Sequence, residues 1–124
     1  MPENRNILIA EDDPFYGSIL RTKLTKEGFE VLVVKNGDEA MASLRAHKPQ
    51  LLITNLIMPV KDGFTLLAEI RTDPDLKSLN VLVLSNLGEE DDKKKVLAIG
   101  ALDYIVKVNI SLGDIIEKVK GYFS

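Results

Sequence analysis

Six residues of this chain have types suited to metal or phosphate chemistry, and they come from four separate stretches: Glu11-Asp12-Asp13, Asn55, Ser85 and Lys107. Each stretch directly follows a short apolar run: Ile7-Leu8-Ile9-Ala10, Leu51-Leu52-Ile53-Thr54, Val81-Leu82-Val83-Leu84 and Tyr104-Ile105-Val106. Runs of that length, bounded by turn chemistry, read as buried strands. In an open α/β sheet, ligands bind outside the carboxyl ends of the strands, so these polar residues would converge on one edge. Oxygen donors gathered without cysteine or paired histidines suit Mg²⁺, which takes one or two carboxylates and keeps several waters. A lysine and a hydroxyl beside such an ion are what an oxyanion such as a phosphoryl group requires. Taken singly, each residue has a plainer role: Asp13 as a helix N-cap, Ser85 in a turn, Lys107 in solvent. Their convergence argues for the chemistry.

The elements that must position them alternate along the chain. After the first strand, Asp13 caps a helix with Pro14 at its first position. Phe15, Ile19, Leu20 and Leu24 form its apolar stripe and Gly28 its stop. Phe29 to Val34 is the second strand. Asp38 and Glu39 open a helix that buries Ala40, Met41 and Leu44, and Lys48-Pro49 closes it. The central strand breaks at Met58-Pro59 and at Asp62-Gly63. A helix from Phe64 to Arg71 then buries Leu66, Leu67 and Ile70. Beyond the fourth strand and Gly88, Glu89-Glu90-Asp91-Asp92-Lys93-Lys94-Lys95 suits a helix start. It also sets Glu89–Lys93, Glu90–Lys94 and Asp91–Lys95 at i,i+4 spacing, with Gly100 as the cap. Leu102 to Val106 is the fifth strand. Ser111 and Asp114 resemble a capping box before Leu112, Ile115, Ile116, Val119 and Phe123. Five strands alternating with five amphipathic helices call for a doubly wound parallel sheet covered on both faces.

With 124 residues, no internal repeat and no linker, residues 1–124 are expected to form one domain. A net charge of −3 gives no basic footprint, which argues against direct nucleic-acid binding. Cysteine is absent, removing thiolate chemistry and fitting a reducing compartment. No apolar run approaches the roughly 20 residues of a membrane span, and no signal-peptide pattern follows the N-terminus; a cytoplasmic protein is expected.

From Ile7-Leu8-Ile9-Ala10-Glu11-Asp12-Asp13 through Asn55-Leu56-Ile57-Met58-Pro59 and Asp62-Gly63 to Ser85 and Tyr104-Ile105-Val106-Lys107, the chain resembles a response-regulator receiver domain. That is the phosphorylation switch of two-component signalling, and the likeness is to its chemotaxis-regulator type. The resemblance implies a five-stranded sheet of order 2-1-3-4-5. It implies that Glu11 and Asp12 are the acidic pair at a Mg²⁺ ion, with the Ile57 carbonyl and position 55 as further ligands. Ser85 would be the hydroxyl that turns toward the phosphoryl group, Lys107 its cationic partner, and Tyr104 the aromatic switch. The implied partners are a histidine kinase or phosphotransfer protein and a downstream protein. The downstream protein would meet the face of the fourth helix, fifth strand and fifth helix. The domain would act as a switch, not an enzyme.

Three positions depart from the family pattern. Asn55 stands where family members carry the phosphoacceptor aspartate; a neutral amide has no ionised oxygen to attack with, and one fewer negative charge weakens Mg²⁺ binding. Its carbonyl oxygen remains available to a metal and its NH₂ to a carboxylate. Val108 replaces a proline whose bond to the lysine is typically cis, so a trans bond is expected here. Asn86 replaces a smaller residue beside Ser85. Either this is a receiver held unphosphorylated by one residue, or it is a pseudo-receiver that binds partners without phosphate. A small flavoprotein is disfavoured, since no glycine-rich phosphate loop follows the first strand. His47 is expected only to favour a helix carboxyl end, and Met41 and Met58 to serve packing and the loop. Because the chain ends soon after the fifth helix, output is expected to pass to a separate partner or to a further domain.

Overall fold

In the computed structural model, residues 5–86 and 90–123 are described. The strands are β1 (Asn6–Ala10), β2 (Glu30–Val34), β3 (Leu51–Asn55), β4 (Asn80–Ser85) and β5 (Asp103–Val106). Between and after them lie α1 (Pro14–Lys26), α2 (Gly37–Ala46), α3 (Gly63–Thr72), α4 (Glu90–Ala98) and α5 (Leu112–Tyr122), with a 3₁₀ turn at Lys107–Asn109. The sheet is parallel throughout, in the order β2-β1-β3-β4-β5, as expected. Gly88, Glu89 and the Glu89–Lys93 pair lie outside the described residues.

Strand side chains alternate between faces, and the alternation sorts the core in two. Ile7, Ile9, Leu51, Ile53, Leu82, Leu84 and Ile105 pack with Leu20 and Leu24 of α1 and Ile115, Ile116 and Val119 of α5. Leu8, Ala10, Leu52, Val81, Val83 and Tyr104 pack with α2, α3 and Val96 of α4. Continuing the count, Glu11, Asn55 and Lys107 follow Ile9, Ile53 and Ile105 on the α1/α5 side. Ser85 falls with Val83 on the other. Registers Ala10↔Thr54 and Ser85↔Val106 then set Glu11 beside Asn55 and Lys107 just beyond Ser85.

Helix starts follow local chemistry. Asp13 accepts from Phe15 N and Tyr16 N, Asp62 from Thr65 N, and Ser111 from Asp114 N. The cap of α2 is Asn36, which accepts from Glu39 N, so the helix begins before the expected Asp38. Phe15 and Ile19, read as core, are 80% and 43% exposed. The face of α1 that meets the sheet is Gly17, Leu20 and Leu24 instead, because glycine there lets the helix approach. A Cβ on Gly17 would lie 3.1 Å from Val33. Lys95 rests 4.2 Å from the centroid of the Phe64 ring instead of pairing with Asp91.

Three contacts fix the loop that leaves β3. Lys61 pairs with Asp38 of α2 at 3.3 Å and Glu69 of α3 at 2.5 Å, and Gly63 N–H donates to Leu56 O at 2.7 Å. A Cβ on Gly63 would stand 2.6 Å from Asn55 O and 2.9 Å from Leu56 Cα, so α3 can start where it does only because that residue lacks a side chain. Farther on, Arg71 donates to the carbonyls of Lys77, Leu79 and Gly100, tying α3 to the turns on either side of it in space. Gly63→Ala is therefore expected to destabilise the fold by about 1–3 kcal/mol through overpacking, measured by urea denaturation; an unchanged midpoint would show that the contact is not tight.

Candidate functional site

An open pocket of about 580 Å³ lies at the carboxyl ends of the strands. Glu11, Asp12 and Asp13 reach it from β1, Asn55 and Ile57 from β3, Ser85 and Asn86 from β4, and Lys107 and Val108 from β5. Tyr16 of α1 completes the wall. The expected convergence is present.

Glu11 is the deepest acid, 3% exposed. A buried carboxylate must be paired and hydrogen-bonded to be tolerated, and both its oxygens are. Oε1 forms an ion pair with Lys107 Nζ. Oε2 accepts from Asp13 N at 3.0 Å and from Asn55 Nδ2 at 3.1 Å.

Asn55 also donates from Nδ2 to Asp12 Oδ1 at 3.1 Å and to Ile57 O at 3.3 Å, while its Oδ1 accepts from Leu56 N at 2.9 Å. Two amide protons thus serve three oxygens. The partners fix the amide's direction: reversed, its oxygen would face two carboxylates and a carbonyl, and its NH₂ would face the Leu56 N–H. This bears directly on a divalent cation. Glu11, Asp12 and the Ile57 carbonyl are suitable oxygens, yet all three already converge on the Asn55 nitrogen. The Asn55 oxygen, which the sequence reading offered to the ion, is turned to the backbone. As arranged, a cation would reach these oxygens only by displacing the Asn55 amide from them.

Lys107 is held from two sides. Its ammonium meets Glu11 and lies 4.3 Å from the centroid of the Tyr16 ring, with a side chain only 7% exposed. Burial, reinforced by the charge on Glu11, pushes the Tyr16 hydroxyl up to about 12. Tyr16 was not singled out in the sequence, where it read as one more residue of an amphipathic helix; its i,i+4 spacing from Leu20, one turn away on the same face, was the available signal. Ser85 is buried at the end of β4. Tyr104 is buried in the opposite core layer, 6% exposed, and does not line the pocket. Asn86 lines the rim, as does Val108, which is 78% exposed. No cis peptide bond occurs among the described residues, so the bond before Val108 is trans, as expected. His47 is the C-cap of α2, with its N–H donated to Ser43 O, and stands far from the pocket at the other end of the strands.

A family model described as the response regulator receiver domain matches residues 7–120. The chain is 36% identical over 114 residues to the phosphate regulon transcriptional regulatory protein PhoB of Rhizobium meliloti, covering 92% of this chain and 50% of that protein. It is similar to the phosphorylated cyanobacterial phytochrome response regulator RcpA, with a TM-score of 0.84, 34% identity, and 97% and 91% of the two chains covered. It also resembles the Mn(2+)-bound form of response regulator Rcp1, with a TM-score of 0.79, 31% identity, and 94% and 90% covered. The chain spans about half the length of the first curated relatives it matches, from 42% to 50%.

The raised Tyr16 pKa gives a pH signature. An unfolded tyrosine ionises near pH 10, whereas folded Tyr16 keeps its proton until about 12. The stability this confers is intact below about pH 10 and is lost as pH rises through about 12. Alkaline absorbance titration should show a late tyrosine component that vanishes in Tyr16→Phe, and the variant should lose less stability across that window. An identical titration for the variant would contradict this assignment.

Proposed function

The chain belongs to the response regulator receiver domain family of two-component signalling, and from that premise we propose that its phosphorylation switch is held off at Asn55. The observation that carries this reading is the bonding of the Asn55 amide. Its nitrogen satisfies Glu11, Asp12 and the Ile57 carbonyl together, the oxygens to which a cation would otherwise be drawn. The neutral amide supplies no nucleophile for an acyl phosphate, so the position that accepts the phosphoryl group in the family is here a hydrogen-bond donor. Ser85 and Lys107 keep the types that the phosphoryl reaction uses, and Tyr104 that of the switch aromatic.

In this reading the domain is not itself an enzyme. Its partners are a histidine kinase or phosphotransfer protein and a downstream protein at the α4–β5–α5 face. Leu97 in α4 and Leu102 just before β5, 39% and 42% exposed, are apolar side chains that α4 and its connection to β5 leave open to a partner among the described residues. No described helix is long and apolar enough to cross a membrane, and the cysteine-free chain suits the cytoplasm, where such kinases deliver phosphate. A second reading, binding without phosphate, draws on Ile57 and Val108, which line the pocket yet are 56% and 78% exposed. They give its mouth an apolar rim that a partner could cover.

Asn55→Asp removes the donor and places a third carboxylate beside two others, so the metal-free variant should lose about 2 kcal/mol or more. Mg²⁺ should then raise its melting temperature, through binding to the folded state, while leaving the Asn55 protein unchanged. With acetyl phosphate and Mg²⁺, intact mass should show a phosphoryl adduct on the variant alone. An adduct on the Asn55 protein would overturn the proposal. An adduct on neither would favour the phosphate-independent reading.

A further inference from the structure

We infer that Tyr16 is a positioning residue for Lys107, its ring face acting with the Glu11 carboxylate to hold the ammonium buried against β1. A lysine ammonium is a compact charge on a flexible four-carbon stem, and its attraction to a carboxylate is nearly without direction. The backbone beyond it adds little: the Lys107–Asn109 turn has no side-chain cap, and Val108 is exposed. Glu11 alone would accept the ammonium over a range of positions, including some nearer the pocket mouth. The Tyr16 ring, 4.3 Å away, narrows that range from a different element.

Two features of α1 put the ring there. Asp13 caps the helix so that Tyr16 falls in its first turn. Gly17 then allows the close approach to the sheet, its missing Cβ lying 3.1 Å from Val33 and 3.7 Å from the Glu11 side chain. Among the described residues, the other two cation–aromatic contacts, Lys95 on Phe64 and Arg5 on Phe29, involve cations without a buried carboxylate partner. Among the described residues, only Lys107 joins a half-buried ring to a carboxylate and a cation that are both nearly withdrawn from water, a setting that strengthens such contacts.

The consequence for phosphoryl chemistry rests on the receiver reading: an anion in the pocket must draw Lys107 from both Glu11 and Tyr16, so Tyr16 sets how readily the amine is released. The test does not need that reading. In the full chain, Tyr16 is replaced by phenylalanine and by mono-, di- and trifluorinated phenylalanine, which keep the ring's shape while weakening the negative charge of its face. The rate at which a water-soluble acetylating reagent modifies Lys107 is read by peptide mass spectrometry against exposed Lys23. Tyr16→Phe should stay within about twofold of the parent, and the rate should climb stepwise to on the order of tenfold with fluorination. A flat series would mean that the ring acts by shape alone and would overturn the inference. If the fluorinated series climbs while Asn55→Asp still takes no phosphoryl group, the positioning role stands and the receiver reading fails.

Discussion

A buried carboxylate has to be neutralised where it sits, and in this fold that constraint falls on Glu11. Its side chain is almost fully withdrawn from water, so every element around it supplies something: β5 the Lys107 ammonium, β3 the Asn55 amide, the start of α1 the Asp13 N–H. None of these partners is near Glu11 in sequence except Asp13. They meet because parallel strands with matched registers deliver residues of the same parity to one face. Removing one member leaves a charge unpaired in a place that cannot hydrate it, which costs far more than the pair contributes.

Within that frame, an amide at position 55 changes the kind of site this is. Three carboxylates around one lysine would leave an excess of negative charge that only a divalent cation could offset. Two carboxylates and one ammonium leave a smaller excess, a single negative charge, onto which the Asn55 amide donates. Glu11, Lys107 and Asn55 are bonded to one another while the pocket remains open in shape; Ser85 lines it from β4, whereas Tyr104 lies in the opposite core layer with Val96 of α4.

Much of this was legible in the sequence. Strand ends, the caps at Asp13 and Ser111, and the convergence of Glu11, Asn55, Ser85 and Lys107 follow from short-range patterns and from one rule about α/β sheets. Strand order was carried by the family resemblance, since spacing alone does not set it. What escaped was long-range. The Arg71 staple onto three carbonyls, the Tyr16 ring over Lys107 and the turning of the Asn55 oxygen to its own backbone depend on groups brought together by folding. Phe15 and Ile19 were misplaced for a related reason. Their apolar character matched a helical stripe, but Gly17 decides which face of α1 comes down on the sheet, and a glycine leaves no trace in a hydrophobic period.

The most direct test is NMR observation of the Asn55 side-chain NH₂ while Mg²⁺ is raised through the millimolar range. If the amide holds the two carboxylates and the Ile57 carbonyl, its two proton signals stay distinct, exchange slowly with water and do not move with Mg²⁺. A saturable shift, or loss of the slow exchange as the ion is added, would mean that the cation displaces the amide, and that Asn55 does not close the site.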